Sequence, residues 1–244
     1  MKLRISLLLL SLLASWSVSS REVLIQTVNW PPYYAETIEG FGPVYQITHE
    51  AFALKGYSTS VQFIPWKRAL QAVAAGDADM VLGAYDTPQR QQTYRVTNEL
   101  VQVKEYVVGS KDNGITQFNG FADLKGYKFG IVPGYVHAPP FEQAGYLDKV
   151  TLASDIQRLK MLVSGRIDFY VQDASVLKMD LKQIPSIDRN KVILLQPAIS
   201  ELNLYNLISR HIPDSERLEK DFNSGLDQLK KSGRYQQILN SYGM

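Results

Sequence analysis

The chain has 244 residues, with 26 Lys and Arg against 24 Asp and Glu and a formal net charge of +2. Lys2 and Arg4 sit in a leader without acids, so the remainder is near neutral and offers no strong field for nucleic acid or anionic lipid. The absence of cysteine excludes disulfides, thiolate zinc sites and cysteine nucleophiles.

Residues 1–20 read as a secretory signal: a basic start, an apolar core from Ile5 to Ala14, then mostly small residues to Ser20. The apolar run is too short to span a bilayer comfortably. No later stretch is long and apolar enough to do so. The expectation is an exported, soluble, periplasmic protein.

Val23 to Val28 is rich in aliphatic and β-branched residues and reads as a buried strand, stopped by Pro31 and Pro32. Pro43 to Gly56 has helical spacing of Val44, Ile47, Ala51 and Leu54, with Gly56 as a stop. A strand is expected over Thr59 to Ile64, a helix over Trp66 to Ala75 closed by Gly76, and a strand over Asp79 to Leu82. This alternation predicts an α/β unit with parallel pairing.

The pattern restarts after a polar break, Lys111 to Gly114. A short helix is expected near Phe121 to Gly126. Strands are expected over Lys128 to Val132, Val150 to Leu152, Ile167 to Gln172 and Val192 to Leu195, with a helix over Asp155 to Ser164. Gln102 to Gly109 and Leu202 to Ile208 read as strands that cross between two lobes, and two such crossings make a hinge. Asp214 to Gly233 and Arg234 to Tyr242 read as amphipathic helices.

Arg90 stands just past the third strand. Thr87 and Pro88 suggest a helix N-cap and first position. Arg90 then lies in the first turn, where a guanidinium and free backbone N–H groups both suit an anion; the alternative is a solvated arginine. Asp173 ends a second apolar strand. It reads as a helix N-cap, as the partner of a ligand ammonium, or as both. Trp30, Trp66 and Tyr85 are candidate aromatic walls, and Tyr135 is a candidate from the second lobe. The plain alternative for these rings is rim packing, as for Tyr33 and Tyr34. The histidines show no metal-ligand spacing. There is no Gly-x-Ser-x-Gly elbow and no Gly-rich phosphate loop.

Gly40 and Phe41, Trp66 to Leu70, Gly76 to Asp79, Thr87 to Arg90, Asp123 to Gly126, Gly130 to Gly134, Gly165 to Asp173, and Leu229 to Ile238 follow one another in a familiar order. In this the chain resembles the family 3 bacterial extracellular solute-binding proteins. The resemblance implies a type II periplasmic-binding fold of two α/β lobes with mostly parallel sheets. It places lobe one at 21–101 and 205–244, lobe two at 102–204, and the ligand in the cleft between them. It also implies that Arg90 holds the α-carboxylate of an amino acid, Asp173 the α-amino group, and Trp30 and Trp66 the side chain; Tyr33 is a further ligand-binding candidate. Gly83, Ala84 and Tyr85 would add polar and backbone contacts. Where the family often has a hydroxyl residue after the glycine matching Gly134, this chain has Tyr135 and Val136. The expected protein is a monomer without cofactor or metal, serving an ABC-type transporter permease. Two alternatives are a cyclohexadienyl dehydratase-like enzyme on the same fold and a sensing adaptor without transport.

Overall fold

In β1 (Glu22–Thr27) every second side chain, Val23, Ile25 and Thr27, is fully buried, the period-two pattern of a strand with one face in a core. α1 (Pro43–Ala53) carries the chain to β2 (Ser58–Phe63), which pairs with β1 in parallel from Glu22 opposite Ser58 to Thr27 opposite Phe63. α2 (Trp66–Ala75) ends at Gly76, whose φ of 88° gives the left-handed closing turn. It leads to β3 (Met80–Tyr85), parallel to β1 on its other side. The computed structural model describes residues 20–244. The expected leader lies outside these residues, save for Ser20.

β3 does not stop at Leu82, as its apolar run suggested. It continues through Gly83, Ala84 and Tyr85, because Tyr85 and Ala84 pair with Leu204 and Tyr205 of β10 (Ser200–Ser209). Gly83 has φ +70°, and a Cβ there would stand 2.3 Å from Cε1 of Tyr34. The Tyr34 hydroxyl donates to the Gly83 carbonyl at 2.7 Å. The glycine therefore admits both the bend and the ring. Thr87 then caps α3 (Pro88–Thr93), its Oγ1 accepting the Arg90 N–H at 3.1 Å. A short strand absent from the sequence reading, β4 (Tyr94–Val96), pairs with β10.

β5 (Gln102–Ser110) opens the second half of the curled sheet. β6 (Lys128–Ile131) lies parallel to both β7 (Asp148–Thr151) and β8 (Phe169–Asp173). β8 and β9 (Val192–Leu194) run antiparallel to β5, so this half is mixed rather than mostly parallel. α4 (Pro139–Glu142), α5 (Asp155–Val163) and α6 (Ala174–Gln183) complete it. β10 then joins both halves. Ser200 to Asn203 ladder with β5, whereas Leu204 to Ser209 ladder with β3 and β4. The path of paired strands is β2-β1-β3-β10-β5-β8-β6-β7. Among the described residues no helix is long and apolar enough to cross a membrane.

α7 (Ser215–Lys231) returns to the first half and α8 (Arg234–Ser241) follows it. Leu218, Phe222 and Leu226 of α7 are fully buried, with the Phe222 ring 5.1 Å from Phe52 of α1. At Gly225 the helices touch: an added Cβ would lie 2.1 Å from the Ala51 carbonyl oxygen. That neighbour is backbone and cannot rotate away. Gly225→Ala is therefore expected to lower unfolding free energy by about 1–3 kcal/mol in urea titration, despite alanine's better helix propensity.

The second half also buries charge. Arg158 is fully buried; it pairs with Asp155, donates to the Val171 carbonyl at 3.0 Å and lies over the Tyr170 ring at 4.9 Å. Asp180 stands nearby, and burial, reinforced by Asp155, pushes its carboxyl up to about 7. A native carboxyl raised above its unfolded value binds the extra proton in the folded state. Stability is then highest at acid pH and falls as pH rises to about 7. Asp180→Asn is expected to remove this fall, raising Tm by roughly 5 °C at about pH 8 and by less than half as much at about pH 5 in thermal melts.

Candidate functional site

A cavity forms where the C-terminal ends of β1 and β3 and the first turn of α3 face the segment after β6 and the end of β8. Trp30, Trp66, Gly83, Ala84, Tyr85 and Arg90 line it from the first half, and Tyr135 and Val136 from the second. The structure thus brings eight of the ten expected site residues to one place. Its free space is about 50 Å³, room for a few water molecules. It adjoins an open cleft of about 970 Å³, with which it shares Val28, Trp66 and Tyr135.

Arg90 is only 7% exposed, and burial lowers the proton affinity of its guanidinium. A charge in such a place needs partners. Nη1 donates to the Tyr85 carbonyl at 2.6 Å and Nη2 to the Gly134 carbonyl at 3.1 Å. The same Gly134 oxygen accepts the Trp66 Nε1–H at 2.9 Å. The guanidinium carbon also lies 5.7 Å from the centre of the Trp66 ring. One carbonyl oxygen of the second half thus sits where two donors of the first half converge, a place suited to an anion's oxygen.

The aromatic candidates form two groups. Trp30 stacks on Tyr33 at 4.9 Å and meets Tyr85 edge-on at 6.3 Å. Trp66 meets Tyr135 edge-on at 6.5 Å. The Tyr135 hydroxyl donates to Asp155 at 3.3 Å, and burial, then Asp155, pushes that hydroxyl well above its usual value.

Tyr33 and Asp173 lie together, outside the cavity lining. Asp173 caps α6, accepting the N–H groups of Ser175 at 2.8 Å and Val176 at 3.1 Å, and it also accepts that of Lys104 at 3.2 Å. Of the roles open to it in the sequence, the N-cap is the one seen in its hydrogen bonds. The Tyr33 hydroxyl lies against the same carboxylate, which raises its pKa beyond the effect of burial. Burial raises the Asp173 carboxyl, and these hydrogen bonds pull it back.

Sequence reasoning missed two charged or titratable residues of the lining. Glu105 of β5 is 1% exposed and meets His137 Nδ1 at 2.8 Å. Its other oxygen accepts the Ala138 N–H at 2.8 Å. The available sign was register: Val103, Glu105 and Val107 occupy the inward positions of β5, where an acid is out of place unless it has partners. Glu105 is also the Cα partner of Asp173 across the β5–β8 ladder. Both acids raise the Tyr85 hydroxyl, after burial itself, so their negative field reaches the cavity wall at that ring. Gln172, which the sequence placed beside Asp173, also lines the cavity. Among the described residues no group of three or more His, Asp or Glu is placed to hold a metal ion.

The chain has relatives. "Probable amino-acid-binding protein YxeM" of Bacillus subtilis (strain 168) is 28% identical over 159 residues, 64% of this chain and 58% of that protein. "ABC transporter arginine-binding protein 1" of Escherichia coli (strain K12) is 26% identical over 167 residues, 67% of this chain and 65% of that protein. The matched stretches therefore span less than two thirds of either relative's length. A histidine kinase sensor domain with similarity to periplasmic binding proteins superposes with a TM-score of 0.79 at 18% identity, over 92% of this chain and 96% of that domain. At that identity the likeness speaks for the fold. The family model of bacterial extracellular solute-binding proteins, family 3, matches residues 25–244, so the chain belongs to that family and has its type II periplasmic-binding fold.

Proposed function

We propose that this solute-binding protein captures an amino acid between its lobes in the periplasm and presents it to an ABC-type membrane transporter. The observation that carries the reading is the convergence of Arg90 and Trp66 on one oxygen of Gly134. A ligand α-carboxylate would take that oxygen's place and receive the same two donors. Charge-assisted hydrogen bonds contribute about 1.5–3 kcal/mol each. The ammonium would face Tyr85, where the fields of Glu105 and Asp173 meet. This polarity, cation at one wall and anions behind another, suits a zwitterion.

The lobes run over 21–101 with 205–244, and over 102–204. The switch of β10 partners between Asn203 and Leu204 supports that division. About 50 Å³ of free space is less than an amino acid needs. Access therefore requires the Gly134 contacts to part and the lobes to separate, and a ligand touching both lobes would favour their closing again. The adjoining cleft would serve as the route in.

Screening the common L-amino acids by thermal shift tests the reading, because a ligand of the native state raises Tm by mass action. With the best of them, Arg90→Ala is expected to weaken binding at least about 100-fold in calorimetry, since the ligand's carboxylate would be left buried without its partner. Unchanged affinity would refute the site. Trp66→Ala removes one donor and an aromatic wall and is expected to weaken binding about tenfold.

A further inference from the structure

The cavity lining includes an imidazole, hydrogen-bonded to Glu105, that the amino-acid reading leaves unused. Glu105 has one oxygen on His137 Nδ1 and the other on the Ala138 N–H. A carboxylate accepts and does not donate, so Nδ1 of His137 carries the hydrogen. That leaves Nε2 as the variable atom: an acceptor on the neutral ring, a donor on the charged one. Nε2 is buried without a hydrogen-bond partner among the described residues, and the ring, 7% exposed, lines the cavity that Arg90 lines. A buried polar atom without a partner is costly and rare.

Its neighbours define what suits it. The Tyr135 hydroxyl is given to Asp155, and Val136 has no donor in its side chain. His137 is thus the side chain of this stretch with a polar atom left for the cavity. Arg90 of α3 and the Tyr85 hydroxyl of β3 share the lining with it. Behind it stand three acids: Glu105 on β5, Asp173 across the ladder on β8, and Glu142 of α4, which accepts the His137 backbone N–H at 2.8 Å. With Nδ1–H held by Glu105, an anion arriving at Nε2 meets a donor only on the doubly protonated ring.

We propose that His137 is a proton-coupled ligand contact. As the ligand's carboxylate settles against Arg90, the His137 ring takes a proton from solvent and donates Nε2–H to that carboxylate, while Glu105 holds Nδ1–H. The proposal rests on the reading that the cavity takes an amino acid at Arg90. It adds that binding consumes a proton, so affinity falls as pH rises through the imidazole range.

The test uses the full-length exported protein and the amino acid giving the largest thermal shift. Calorimetry at about pH 7, in phosphate and in Tris, reads proton uptake from the difference in heat. Wild type is expected to take up about 0.5–1 proton and to bind about tenfold more weakly at about pH 8 than at about pH 6. His137→Gln keeps a side-chain donor but cannot take up the proton, and its affinity should be flat over that range. Asp180 also titrates there, so Asp180→Asn should leave the pH dependence in place. Binding by wild type without proton uptake overturns this proposal and spares the amino-acid reading. Uptake of the same size in His137→Gln also overturns it. If no amino acid binds, the underlying reading fails and takes this one with it. If His137→Gln does not fold, nitrogen NMR of the wild-type imidazoles decides: a His137 ring in the same protonation state with and without the ligand refutes the coupling.

Discussion

One strand ties the molecule together. The ten residues of β10 form a ladder with β5 over their first four positions and with β3 and β4 over the rest. Backbone hydrogen bonds must be satisfied throughout, so the change of partner fixes how the two halves of the sheet face each other. The cavity lies beside this change. Leu204, at the switch, lines it, and Tyr85 of β3 is its Cα partner. Arg90 follows within one short helix. The place of Tyr85 in the site is therefore set by main-chain pairing, while Gly134 to His137 come from the segment after β6.

The protein buries several charged groups, and Arg90, Glu105 and Arg158 are each held by backbone groups. Arg90 gives its hydrogens to two carbonyls, Glu105 accepts an amide N–H as well as an imidazole, and Arg158 binds the Val171 carbonyl as well as Asp155. Such pairs are weak contributors to stability, because desolvation offsets much of the attraction. What they supply is orientation. A guanidinium held by carbonyls at fixed angles, beside an indole that shares one of them, presents its donors in a defined direction.

Much of the fold was legible because the informative chemistry is local. Thr87 and Pro88 announce the start of α3 by a cap that acts within three residues, and Gly76 announces the end of α2 by its left-handed turn. The extent of β3 was not legible, since Gly83 looks like a stop until Tyr34 and β10 are seen to occupy both its sides. The site divided along the same line. Residues placed by strand ends and turns, Arg90, Trp30, Trp66 and Tyr135, could be picked out in order. The Glu105–His137 pair spans 32 residues, and nothing in either neighbourhood points to the other. Asp173 shows the converse. Its helix-capping geometry was readable; the cap occupies Oδ1, while Oδ2 accepts the Lys104 N–H from β5.

The seam between α1 and α7 has a consequence for the order of events in synthesis. Ala51 meets Gly225 at backbone distance, and Tyr85 waits for Leu204. A ribosome delivers the earlier member of each pair long before the later one. The half made first thus stays an unfinished sheet with an open edge while the other half is translated, and it closes only when its last strand and helices emerge. Contacts so distant along the chain slow folding. They also leave the nascent polypeptide without a finished core for most of its growth.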